Sequence, residues 1–197
     1  MIIYYTRNFS GGRAESRRLL AKAVTEYTGD AGLAEQLVSG LKTGEHGKPY
    51  IEGFECFSVS HTGGIWAVLI DTRECGLDLQ LGKKCDITAI AKRMYAPEDA
   101  ENIASINEED PTKASDEFFR LWTRREALVK AIGGSVYETE LPSVSVSNPV
   151  ADLRQYIMLD ICLPDMETVD GAKLYGAVCV EEVKGNPGST VVFKPLK

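Results

Sequence analysis

The segment Asp116–Ile132 constrains the fold more than any other. Advancing about 100° per residue, Phe118, Phe119, Leu121, Trp122, Leu128, Val129 and Ile132 share one broad arc of a helix. Gly133-Gly134 marks its end. Arg120, Arg124 and Ala127 fall on the opposite side. Charges intrude on the apolar arc: Glu126 lies between Trp122 and Phe119, Arg125 between Phe118 and Ile132, and Lys130 at the edge. A charge on a core-facing stripe is costly unless it is paired or binds a metal. One reading is an i,i+4 ion pair of Glu126 with Lys130, worth only a few tenths of a kcal/mol. The other is a carboxylate facing a cleft, with cations beside it for an anionic ligand.

The rest of the chain alternates between helical and β-rich runs. Ile2–Tyr5 reads as a strand rather than a targeting segment, because no basic region precedes it and no small-residue cleavage site follows. Helical spacing covers Arg13–Tyr27, Ala34–Leu41, Asp86–Tyr95 and Glu98–Ile106. Phe54–Ser60 and Ile65–Ile70 read as a hairpin turning at His61–Gly64, with a third strand at Cys75–Leu81. Leu77, Leu79 and Leu81 then share one face, and Asp78 and Gln80 the other. Thr43–Pro49 is a glycine-rich loop and Asn107–Ala114 a polar, exposed one. Further β-runs are expected at Ser143–Val146, Tyr156–Ile161, Lys173–Val183 and Thr190–Phe193. The fold class is therefore α/β (α+β). A shared order of helix then strands suggests two halves, 1–82 and 83–197, that form one unit.

Composition narrows the function. Among 197 residues, 22 Lys and Arg face 29 Asp and Glu, a net charge of −7. This balance argues against bulk nucleic-acid binding, which needs clustered cations. No run approaches the roughly 20 apolar residues of a membrane span. The five cysteines, Cys56, Cys75, Cys85, Cys162 and Cys179, show no C-x-x-C spacing. They read as reduced, buried thiols of a cytoplasmic protein rather than a zinc or redox site.

Asp78 deserves weighing beside Glu126. One carboxylate on a strand and one on a packed helix commonly hold Mg²⁺, although a lone strand aspartate is more often simply solvated. His61 sits at a turn, where ordinary polar turn chemistry is the default. Lys48, Arg13, Arg17 and Arg18 could add positive charge near it.

Four segments, taken in order, form a pattern. They are Gly47-Lys48-Pro49, then Phe57-Ser58-Val59-Ser60-His61-Thr62, then Gly76-Leu77-Asp78-Leu79-Gln80, and finally Trp122-Thr123-Arg124-Arg125-Glu126-Ala127-Leu128-Val129-Lys130-Ala131-Ile132-Gly133. They resemble G-K-P, F-N-x-S-H-S, G-[IV]-D-[IV]-E and W-T-x-K-E-A-x-x-K-x-x-G of the Sfp-type 4′-phosphopantetheinyl transferases. Ala91–Asp99 resembles that family's A-x-R-F-F-x-x-E-E segment. The resemblance implies two similar α/β halves related by a pseudo-twofold axis, with CoA in the cleft between them. It implies Mg²⁺-dependent transfer of 4′-phosphopantetheine from CoA to a serine of an apo acyl or peptidyl carrier protein, releasing adenosine 3′,5′-bisphosphate. Asp78, Glu126 and Lys130 would be catalytic, and Asp78, Gln80 and Glu126 would ligate the metal. Arg17, Lys48, Ser60, His61, Arg125 and Lys130 would hold CoA. A monomer is expected, and the apolar side of the Asp86–Tyr95 helix would dock the carrier.

The sequence departs from the family pattern at three places. Gln80 replaces a third acidic ligand, Ser58 replaces an asparagine, and the basic segment usual before the first helix is missing. An alternative reading is a catalytically inactive CoA- or nucleotide-binding protein of the same fold, and another is a small α/β interaction protein.

Overall fold

The computed structural model describes residues 1–44, 46–134, 141–151, 153–183 and 190–196. The first half runs β1 (Ile2–Thr6), α1 (Arg13–Thr28), α2 (Ala31–Ser39), β2 (Lys42–Thr43), β3 (Pro49–Tyr50), β4 (Cys56–Thr62) and β5 (Ile65–Asp71). There follow β6 (Cys75–Leu81), α3 (Ile87–Met94), α4 (Pro97–Glu109) and α5 (Pro111–Ile132). The chain continues with β7 (Val150–Ala151), β8 (Arg154–Asp160), β9 (Thr168–Val169), β10 (Ala172–Glu181) and β11 (Val192–Pro195).

Two sheets carry the fold, which is mixed α and β. One has the order β11-β1-β5-β4, with β11 parallel to β1 and the other pairs antiparallel. The second has the order β6-β10-β8-β7, antiparallel throughout, with β9 also paired to β10. The strands follow sequence alternation. Trp66, Val68 and Ile70 of β5 pack with Leu19, Leu20, Ala23 and Val24 of α1. Ile65, Ala67 and Leu69 face Leu77, Leu79, Val178 and Val180 across the space between the sheets. The third core lies between the second sheet and α3–α5 and includes Ala91, Ile103, Phe118 and Leu128. The order is helices, sheet, sheet, helices.

Three expectations change. The loop expected at 107–114 shrinks to one residue. Asp110 ends α4 by donating its N–H to Ile106 O at 2.8 Å, and its carboxylate accepts from Thr112 N and Lys113 N to start α5. The strand expected at Ser143–Val146 does not form. Its backbone is taken by side chains: Asp99 accepts from Val144 N, and Arg124 Nη1 donates to the carbonyls of Val144, Ser145 and Val146. Third, the side of α5 that carries Arg124 and Ala127 is buried too. Arg124 holds Asp160 through two nitrogens, with Nη2 to Oδ2 at 2.7 Å. Ala127 lies against Gly76 of β6. A wheel shows one core-facing arc, whereas α5 is packed between a sheet and two helices.

The thiols are all free, but only Cys75 and Cys179 are buried; Cys162 is exposed. No described helix is long and apolar enough to cross a membrane.

Candidate active site

Gly76 sets the distance between β6 and α5. A Cβ there would overlap Ala127 O and lie 2.7 Å from Ala131 N, so the helix rests directly on the strand backbone. That approach carries Lys130 to Asp78, two residues further along β6. Lys130 Nζ donates to Asp78 Oδ1 at 2.7 Å and to Leu77 O at 3.0 Å. The ion pair of Lys130 is thus with Asp78 and not with Glu126.

Asp78 is 7% exposed and receives a second hydrogen bond from Ser60 Oγ at 3.1 Å. Burial raises its carboxyl pKa despite the nearby ammonium. Glu126, half-buried, makes no hydrogen bond or ion pair among the described residues. Its pKa is also raised, first by burial and then by the charge of Asp78, against the opposing charges of Lys130 and Arg125. The charge of Asp78 thus disfavours ionisation of Glu126 despite Lys130 and Arg125, an arrangement that a further cation would stabilise.

Glu126 and Lys130 open onto a cavity of about 370 Å³, lined also by His46, Gly47, Lys48, Ser58 and Gly133. Asp78 and Ser60 are buried and are not among its lining residues. Lys48 reaches from the glycine-rich loop to Glu74 Oε2 at 2.7 Å and to Ala131 O at 3.2 Å. It thereby ties the loop, braced by the β2–β3 pair, to the C-terminal end of α5. Burial works to raise the Glu74 pKa, and the Lys48 bond and charge hold it below the usual carboxylate range.

The other expected site residues lie elsewhere. Gln80 shares the Asp78 face of β6, and its Nε2 donates to Leu81 O at 2.8 Å, so Oε1 is the amide's remaining donor atom toward a cation. His61 is exposed on the opposite face of β4 from Ser60, with its ring 5.0 Å from that of Phe9. Arg17 donates to Val38 O and Ser39 O at the end of α2. Arg125 is buried, and its charge acts on Tyr95 and Glu126. None of Arg13, Arg17, Arg18 and Arg125 lines the cavity. Among the described residues no three His, Cys, Asp or Glu side chains cluster as a metal site would.

Sequence reasoning missed Glu74 as the partner of Lys48 and Ser58 as part of the cavity wall. The period-2 pattern of β4 placed Ser58 beside Ser60 on one face, which was a usable signal. Nothing local in the sequence pointed to Glu74.

Residues 74–160 match the family model of the 4′-phosphopantetheinyl transferase superfamily, a segment that includes Gly76, Asp78, Glu126 and Lys130. The chain is similar to the 4′-phosphopantetheinyl transferase of Bacillus subtilis, with 31% identity over 45% of this chain and 39% of that protein. It is similar to the 4′-phosphopantetheinyl transferase HetI of Nostoc sp., with 28% identity over 69% of this chain and 56% of the relative. With the 4′-phosphopantetheinyl transferase AcpT of Salmonella typhi, identity is 32% over 61% of this chain and 65% of the relative. The matches thus span between 39% and 65% of these relatives' lengths. The similarity to the 4′-phosphopantetheinyl transferase superfamily is therefore carried by residues 74–160, less than half of the chain.

Proposed function

We propose that the protein transfers 4′-phosphopantetheine from CoA to a serine hydroxyl of an apo carrier protein. The observation that carries this reading is the half-buried Glu126, beside the Asp78–Lys130 pair, on the wall of a cavity that Lys48 also lines.

In this reaction the serine oxygen forms a bond to the phosphorus that bears the pantetheine arm. The bond from that phosphorus to the bridging oxygen breaks, and adenosine 3′,5′-bisphosphate leaves. Charge builds on the bridging and non-bridging oxygens, so positioning and electrostatics dominate. Lys130 and Lys48 supply positive charge at the cavity wall for those oxygens. Glu126, or a water near it, accepts the serine proton. The Asp78 and Glu126 carboxylates, with Gln80 Oε1, would hold Mg²⁺. The unpaired Glu126 carboxylate and the charge of Asp78 that acts on it support that fit, and Mg²⁺ would neutralise pyrophosphate charge.

Ile87, Ile90 and Met94 of α3 pack against the core but are only partly buried, so part of the apolar side of this helix stays open to a carrier. Lys83, Lys84, Lys92 and Arg93 are exposed in and just before α3, beside the exposed Asp86 and Ala89. In a chain of net charge −7, such a local basic patch suits an acidic partner.

The test is transfer by variants. Asp78→Asn and Glu126→Gln should each lower the rate of carrier modification with CoA and Mg²⁺ by at least about 10²-fold. Near-normal transfer by both variants would remove these residues from the mechanism.

A further inference from the structure

The two sheets meet along a seam with an unusual composition. β6 is an edge strand of its sheet and β4 is an edge strand of the other. No backbone ladder joins them. Instead, three hydroxyls of β4 accept from three alternate N–H groups of β6. Leu77 N donates to Ser58 Oγ at 3.0 Å, Leu79 N to Ser60 Oγ at 3.0 Å and Leu81 N to Thr62 Oγ1 at 3.3 Å. The period-2 pattern of one strand thus satisfies the free donors of the other.

The three positions are not equivalent. Ser60 alone also uses its proton, donating to Asp78 Oδ1 at 3.1 Å. It is 5% exposed and does not line the cavity. Its hydroxyl therefore links the seam to one oxygen of the carboxylate that Lys130 also holds.

We infer that Ser60 is a positioning residue, which orients the Asp78 carboxylate for the cation and couples that orientation to the docking of the two sheets. This rests on the reading of Asp78 as a metal ligand. It differs from a role for Ser60 in contacting CoA. A hydrogen-bond partner of a ligating carboxylate fixes its direction, and loss of such a partner commonly weakens metal binding by about 10–100-fold.

Thr62 provides the control, because its hydroxyl serves the seam without touching Asp78. The measurement is Mn²⁺ binding to the full chain with CoA present, read by electron paramagnetic resonance, with CoA affinity in EDTA and thermal stability measured alongside. Ser60→Ala should weaken Mn²⁺ binding on the order of tenfold, and CoA affinity in EDTA should stay within about twofold. Ser60→Thr, which returns the hydroxyl, should restore Mn²⁺ binding. Thr62→Val should lower thermal stability and leave Mn²⁺ binding unchanged. Ser60→Cys keeps the volume with a weaker donor and reads the same effect where Ser60→Ala does not fold. Equal Mn²⁺ affinities in wild type, Ser60→Ala and Ser60→Cys would overturn the inference. A fall in metal-free CoA affinity with unchanged Mn²⁺ affinity would also overturn it and make Ser60 a CoA contact. Failure of the wild-type protein to bind Mn²⁺ would instead strike the metal reading, and the inference with it.

Discussion

Asp78 and Glu126 are both carboxylates whose ionised forms the fold disfavours, and this has a consequence for stability. An acid whose folded pKa is raised binds more protons folded than unfolded. Its contribution to stability therefore falls as pH rises from the unfolded carboxylate value, about 4, through the raised folded value. Glu126→Gln removes one such group. In EDTA the variant should melt above the wild type at pH 7–8, by roughly 2–4 °C for each kcal/mol relieved. The difference should shrink as pH falls into the carboxylate range. Thermal melts across pH check this, and a variant less stable than wild type at pH 7–8 would contradict it. The gain in stability would accompany loss of transfer, as expected where an active site holds strained charge. At this scale the sequence was informative in part. Asp78, Glu126 and Lys130 were each legible as charged residues in elements that pack. Their pairing was not, because Lys130 and Asp78 lie on different elements and helical spacing suggests Glu126 first.

Among the elements, α5 and β6 make the site, and Gly76 is the position that lets them touch. Gly76→Ala would place a methyl group against the α5 backbone at Ala127 and Ala131. Overpacking of this kind costs about 1–3 kcal/mol or more, and the helix must move off the strand. The variant should lose stability in urea and also lose transfer, because displacement of α5 separates Lys130 from Asp78. Unchanged stability would show that the helix does not rest on the strand as described. The elements themselves were largely readable: α5 from its apolar arc and glycine stop, and β4, β5 and β6 from alternation and turns. The exceptions have physical causes. Asp110 caps two helices at once, which composition reads as a polar loop. The 143–146 segment has strand-like residues, yet Arg124 and Asp99 claim the backbone groups a ladder would need. The seam hydroxyls were visible as Ser58, Ser60 and Thr62, but pattern within one strand does not tell which other edge it meets.

Across the whole molecule, the halves exchange strands. β6 leaves the hairpin of the first sheet to pair with β10, and β11 returns to pair with β1. Together with the shared core between the sheets, this predicts cooperative unfolding of both halves. The two tryptophans make this measurable, since Trp66 lies fully buried on the first sheet and Trp122 on α5. Trp122→Phe leaves Trp66 as the reporter, and its urea midpoint should coincide with that from far-UV circular dichroism. Two separated midpoints would contradict a single cooperative unit. Such a unit places Lys48 of the first half beside Glu126 and Lys130 of the second, around one cavity. The most direct test of what that cavity does is the intact mass of an apo carrier protein after incubation with this protein and CoA, with Mg²⁺ or with EDTA. The account predicts a gain of one phosphopantetheine with Mg²⁺ and none with EDTA. Bound CoA with no mass gain on any of several carriers would contradict it.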